Sequence, residues 1–228
     1  MIPAVHARME GFTAFFRHPL MVTGTQVSLP CPPYSTLLGL ISACAGRVVT
    51  PQDTRVGFEF RAGSTDVELE KTDRLALDKK GVLQPHREGQ GILKRRIHFK
   101  TSLDLYVTNL ELEEGFRSPV STPCLGRSQD VVWITGVNRV DLEPVESGKI
   151  GPTMLPAMKE NIPSLIVRCP EWFTNNTVGR TRVVGPVGRY QAMLPTSGIR
   201  FQVDMPELYH PSDAAEDHVI YLHKWLPS

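Results

Sequence analysis

The sequence predicts an α+β fold, and three observations predict it. Residues 96–108 alternate strictly between apolar and polar side chains, the pattern of a half-buried strand. Residues 31–46 combine a double proline, hydroxyls and a short apolar run closed by glycine, the pattern of a short buried helix. Beyond Pro144 helical periodicity is weak and proline and glycine become frequent, which predicts a separate β-rich extension over residues 144–228.

The elements follow in order. Val5, Ala7 and Met9 alternate with His6, Arg8 and Glu10, predicting a strand that runs to a bend at Gly11. Phe12, Phe15 and Phe16 come next, and Arg17-His18-Pro19 ends that element. Pro32-Pro33 forces the chain to turn, Ser35 is a favoured N-cap type, and Leu37, Leu40, Ile41, Cys44 and Ala45 recur at helical spacing before Gly46. Val56, Phe58 and Phe60 alternate with Arg55, Glu59 and Arg61 in a second strand. Gly63-Ser64 then predicts a turn into a third arm carrying Val67 and Leu69. In the most regular strand, Ile97, Phe99, Thr101, Leu103, Leu105 and Val107 are set against Arg96, His98, Lys100, Ser102, Asp104 and Tyr106. A short helix over 111–116 and a strand over 131–143 complete the series. Strand, helix, strand, strand, short helix, strand is the order of a ferredoxin-like or RRM-like unit, here over residues 1–143.

Composition narrows the function classes. The chain has 228 residues, 41% hydrophobic and 21% charged, with a net charge of +1, ordinary values for a globular protein with a real core. Its longest apolar stretch, near residues 37–45, is too short to span a membrane, and no leader pattern opens the chain, so no membrane partner and a cytoplasmic location are expected. Cys31, Cys44, Cys124 and Cys169 are scattered without a CxxC pair, predicting reduced thiols rather than a zinc site or a disulfide frame. His218 and His223 fall five apart in a predicted strand and point to opposite faces, so no metal and no cofactor are expected.

Charge distribution says more. Residues 79–100 carry Lys79, Lys80, Arg87, Lys94, Arg95, Arg96 and Lys100 against Glu88 alone, +6 on a chain whose total is +1. Gly81, Pro85, Gly89 and Gly91 forbid a regular helix, so the segment reads as a mobile arm or long hairpin inserted between strands. A cationic arm leading into a strand with Arg96, His98 and Lys100 on one face suits a polyphosphate partner; a solvated charged loop is the plainer reading. The first turn of the 35–45 helix, with Ser35 and Thr36 beside free amides, is either a phosphate seat or an ordinary capped helix start. Gly126-Arg127-Ser128-Gln129-Asp130 offers forked and single donors suited to phosphate or ribose, or is a polar turn with an Asp cap. Arg180, Arg182 and Arg189 lie among glycines and line a groove or merely solvate a loop. His98, Lys100 and Tyr106 share a predicted face; such a set either cleaves RNA without metal or stacks on bases.

PPYSTLLGLISACAGR after a strand ending in FFRHP, a basic insertion, HFKTSLDLYV and CLGRSQDVVWI together resemble the Cas-five family of the RAMP superfamily, CRISPR-associated subunits of type I Cascade. The pattern over residues 1–143 is most like type I-B members. The resemblance implies a ferredoxin-like core with a protruding thumb at 79–100. It implies a scaffold that holds the 5′ handle of CRISPR RNA, contacts the large subunit and the Cas-seven backbone subunit, and meets target DNA only through the complex. The RNA-facing candidates are then Arg17, Tyr34, Ser35, Thr36, Lys94, Arg95, Arg96, His98, Lys100, Arg127, Ser128 and Gln129. One family branch cuts precursor CRISPR RNA, so the alternative expectation is a metal-independent endoribonuclease using His98, Lys100 and Tyr106.

Overall fold

The computed structural model describes residues 1–18, 26–157, 162–176, 181–195 and 199–227. Its first half runs β1 (Ile2–Ala14), α1 (Tyr34–Ala45), β2 (Val56–Leu77), β3 (Leu83–Val107), a 3-10 turn (Leu110–Leu112), α2 (Glu113–Arg117) and β4 (Val132–Ile150). The second half is β5 (Met154–Pro156), β6 (Ser164–Pro170), β7 (Phe173–Asn176), β8 (Thr181–Val184), β9 (Val187–Met193), β10 (Phe201–Pro211) and β11 (His218–Tyr221). The architecture is mostly antiparallel sheet with few helices. The main sheet is ordered β10-β11-β4-β1-β3-β2; β5-β9-β6 form a second sheet and β7-β8 a two-stranded one. Within the main sheet β1 lies between β4 and β3 and is antiparallel to both, and β2 is antiparallel to β3.

Alternation explains the two faces of this sheet. Val5, Ala7 and Met9 join Phe58, Phe60, Leu103, Leu105 and Val107 beneath Leu37, Leu40, Ile41 and Cys44 of α1 in the largest core cluster. Each Val, Leu, Ile, Phe or Met side chain among them contributes about 1.5–3 kcal/mol on burial. The opposite face buries Tyr106, Val140 and Leu142 under Tyr209, Ile220 and Leu222 from β10, β11 and the residue that follows. Gly46 closes α1 in the left-handed conformation at φ 67, the geometry for which glycine is best suited.

Several expectations are corrected. Ser35 does not cap α1: the helix begins at Tyr34 with Pro33 as N-cap and no side-chain cap bond. Gly11 is no bend, since β1 continues to Ala14. No turn occurs at Gly63-Ser64; β2 pairs with β3 from Val56 to Leu77, and the reversal falls after Asp78, whose backbone N–H donates to the Val82 carbonyl. The basic segment is thus the tip and returning arm of one long hairpin. The expected boundary at residue 143 falls inside β4. β4 runs through Pro144 to Ile150 and pairs with β10 over Leu142–Ile150, so late strands complete the first sheet.

Alternation in β3 holds from Thr101 to Val107 and fails at Lys100. Lys100 has φ 52, and neither β1 nor β2 pairs with it, although both pair with Phe99 and Thr101. This left-handed residue resets which face the preceding side chains meet. All four cysteines are free, three of them buried. No helix among the described residues is long and apolar enough to cross a membrane.

Candidate functional site

A cleft of about 1130 Å³ brings residues from several distant motifs together. One side is the first turn of α1, with Pro33, Ser35 and Thr36; another is Gly126 and Arg127 of the loop before β4. Arg95, at the base of the β2–β3 hairpin, and Arg17 and Gln26 close a third side; Trp172, Phe173 and Arg182, on and beside the β7–β8 ribbon, form the fourth. Four arginines and no acidic residue line it among the described residues.

Local geometry sets each wall. Gly126 has φ 113, and a Cβ there would overlap the Phe15 carbonyl, so only glycine lets the loop lie against the end of β1. Arg127 then folds back on Asp130: its backbone N and Nε donate to one carboxylate oxygen at 3.0 and 2.9 Å, and an Nη to the other at 2.8 Å. Asp130 is fully buried and also accepts from the Thr13 hydroxyl at 2.7 Å. The second Nη of Arg127 reaches Glu68 at 3.0 Å. Hydrogen bonding to Asp130 holds the Arg127 guanidinium above its usual range.

Arg95 is buried against this group. Its guanidinium lies 5.2 Å from the Phe15 ring centre, with that of Arg127 at 5.7 Å, and it pairs with Glu68 and Glu70. Burial pulls Arg95 below its ordinary value. Arg95 Nε, 3.3 Å from Glu68, makes no hydrogen bond, and buried Gln26 Oε1 has no partner. A buried donor and a buried acceptor unsatisfied on one cleft wall are places for a polar ligand or water.

The cleft gathers Arg17, Ser35, Thr36, Arg95 and Arg127 among the RNA-facing candidates, with Arg182 of the three late arginines, and leaves out the other candidates. Arg17 is exposed; Ser35 and Thr36 are half-buried. The first turn of α1 carries no acidic side chain and no side-chain cap, so the positive end of the helix is not neutralised within it. Tyr34 is a core residue instead: it is 2% exposed, stacks on His223 at 3.8 Å, and donates its hydroxyl to the Met154 carbonyl at 2.5 Å. Ser128 and Gln129 are exposed but lie off the cleft, Arg189 is exposed on β9, and Arg180 falls outside the described residues.

The basic run divides by face. Cross-strand partners share a face, and β2 sets Leu69 opposite Lys94, Glu68 opposite Arg95 and Val67 opposite Arg96. Arg95 turns to the cleft while Lys94 and Arg96 are exposed on the other side. The outgoing arm, residues 64–78, has five acids against two bases, so the hairpin is an acidic strand beside a basic one.

His98, Lys100 and Tyr106 do not form a common face. His98 is 2% exposed, with Nε2 at 3.0 Å from the Leu29 carbonyl and Nδ1 at 2.8 Å from the Thr65 hydroxyl. It packs between Phe16 and Phe60 on the helix side, and burial lowers its pKa. Tyr106 stacks on His6 at 4.2 Å and belongs to the core of the opposite face. The left-handed Lys100 between them separates the set. His218 and His223 sit in separate buried contacts, with Glu59 at 3.4 Å and Glu171 at 2.8 Å. No cluster able to hold a metal ion occurs among the described residues.

Sequence reasoning missed Phe15 as the platform under two arginines, and Glu68 and Glu70 as their counter-charges. The alternation of Val67 and Leu69 with acids signals the latter. It also missed Trp172 and Phe173, for which no motif gives a signal.

No family profile matches the chain, and no curated protein matches its sequence. Solved structures do match. A chain of a "CRISPR RNA-guided surveillance complex" is 17% identical, covers 89% of this chain and 91% of its own, and superposes with a TM-score of 0.51. A CRISPR protein from Archaeoglobus fulgidus is 11% identical, with coverage of 96% and 98% and a TM-score of 0.50. At these identities the likeness establishes a shared fold: the chain has the fold of CRISPR-associated proteins over nearly its whole length.

Proposed function

We propose that the chain is a CRISPR RNA-binding scaffold subunit of a type I Cascade complex, of the Cas-five kind and nearest in pattern to type I-B members. It holds the 5′ handle of the guide RNA and joins the large subunit to the Cas-seven backbone, meeting target DNA only through the assembly. The observation that carries this reading is the cleft, where the α1 first turn, the Gly126–Asp130 loop and the hairpin base converge with four arginines on its lining. The guanidiniums of Arg17 and Arg182 and an uncapped helix start are complementary to a phosphate backbone, while Arg95 and Arg127 are held by Glu68, Glu70 and Asp130. The β4-β1-β3-β2 order supports a ferredoxin-like core, and the β2–β3 hairpin corresponds to the thumb. The surveillance-complex chain with the same fold supports the assembly context.

The protein acts without cutting RNA. The residues expected for cleavage lie apart: His98 is committed to Leu29 and Thr65, and Tyr106 is buried on the other face. Incubating the purified chain with repeat RNA in EDTA tests both halves of the proposal. Salt-sensitive binding with the RNA left intact is expected. A defined cut overturns the scaffold reading, and absence of salt-sensitive binding overturns the RNA-binding one.

A further inference from the structure

We propose that the β7–β8 ribbon supplies a base-stacking station in the cleft, formed by Phe173 with Arg182 and taking one unpaired nucleobase of the bound RNA. The inference rests on the RNA-binding reading of the cleft and adds a contact of a different kind.

Three observations carry it. Phe173 and Arg182 both line the cleft, with the α1 first turn and Arg127. The Arg182 guanidinium stands over the Phe173 ring at 5.0 Å from its centre, so the pair presents a flat aromatic and a flat cation together. Phe173 is only half-buried and Arg182 is exposed; neither belongs to the buried residues of the three core clusters. A half-buried ring beside a guanidinium in an arginine-lined cleft suits a flat partner carrying negative charge alongside.

The opposite wall shows why this station differs from the one at Phe15. There Arg95 and Arg127 cover a ring that is 4% exposed, and Glu68, Glu70 and Asp130 balance them. Phe15 is sealed and serves to position arginines. Phe173 keeps accessible surface. A base stacked there lies in the same cleft as the Arg182 and Arg17 guanidiniums and the start of α1, groups suited to its phosphates. Stacking is indifferent to base identity, because every base has a π-face, so the station holds a nucleotide in place without reading it.

The experiment uses the full chain and a short single-stranded RNA of repeat sequence, with matched strands bearing an abasic site at each position in turn. Phe173→Ala is expected to weaken binding of the intact strand about tenfold or more, the range of one lost base stack, whereas Phe173→Tyr binds as the wild type does. One abasic strand is expected to bind wild type and Phe173→Ala equally, which a merely structural role of Phe173 would not produce. Unchanged affinity for Phe173→Ala overturns the station. So does an equal loss on every abasic strand, because the substitution then acts through the fold. If wild-type protein binds no RNA, the RNA-binding reading itself fails and the station with it. If it binds RNA with Phe173 irrelevant, only the station fails.

Discussion

Arg127 shows how one residue both builds a site and is used up by the building. A sequence reading sees a forked donor in a glycine-led loop and assigns it to phosphate. In the structure three of its donors satisfy the buried Asp130 and a fourth reaches Glu68. Removing it leaves a fully buried carboxylate with the Thr13 hydroxyl as its remaining side-chain hydrogen bond. Arg127→Ala should therefore lower stability by about 2–4 kcal/mol, read as a shifted midpoint in denaturant unfolding with unchanged slope. Arg127→Lys should recover only part of the loss, because a point charge cannot reproduce the fork. Tyr34 and His98 are committed in a similar way, to Met154 and to Leu29 and Thr65. Nothing in the local sequence distinguishes a tyrosine at a helix start that reaches for Met154 from one that faces a ligand. The same holds for Lys100: no neighbouring residue announces its positive φ, yet that angle decides which side of β3 His98 meets.

At the scale of elements, periodicity is the property most legible in the chain. The apolar spacing through Ala45 and Gly46 gives α1 almost to the residue, and alternation gives β1 and the inner part of β3. What alternation cannot give is the partner strand. Residues 79–100 look uniformly basic when counted alone, but their register sets Glu68 against Arg95 and divides the cations between two faces. Lys94 and Arg96 are left on the exposed outer face, without acids opposite. The double variant Lys94→Ala/Arg96→Ala should keep the unfolding free energy within about 0.5 kcal/mol of wild type, as surface changes usually do. It should also flatten the salt dependence of RNA binding by up to about 1.4 in the log–log slope, if each side chain meets one phosphate of a single strand. Arg95→Ala should instead lower stability, since it removes a buried guanidinium that packs on Phe15 and pairs with Glu68 and Glu70; unfolding and salt titration of the same preparations separate the two effects.

At the scale of the molecule, the expected break at Pro144 coincides with a change of texture and falls inside β4. Proline in mid-sheet is usually a stop; β4 carries Pro144 at the point where its pairing passes from β1 to β10. The late strands then cover Tyr106, Val140 and Leu142, and Met154, Val167 and Tyr190 join the same core as α1. A fragment ending at residue 143 should accordingly fail to unfold cooperatively and should show little near-UV circular dichroism; a sharp thermal transition from that fragment would show that the first unit stands alone. The cleft depends on the same closure, because Trp172, Phe173 and Arg182 come from the late part of the chain. Motifs in the first 143 residues therefore disclose three sides of the site and leave the fourth unseen.

The central claim is that RNA lies in this cleft. Ultraviolet crosslinking of the full chain to single-stranded repeat RNA, with the attached peptides mapped by mass spectrometry, tests it most directly. Crosslinks should fall on the first turn of α1, on the Gly126–Asp130 loop and on Phe173. Crosslinks confined to other surfaces, or none at salt concentrations where binding is measured, would contradict it.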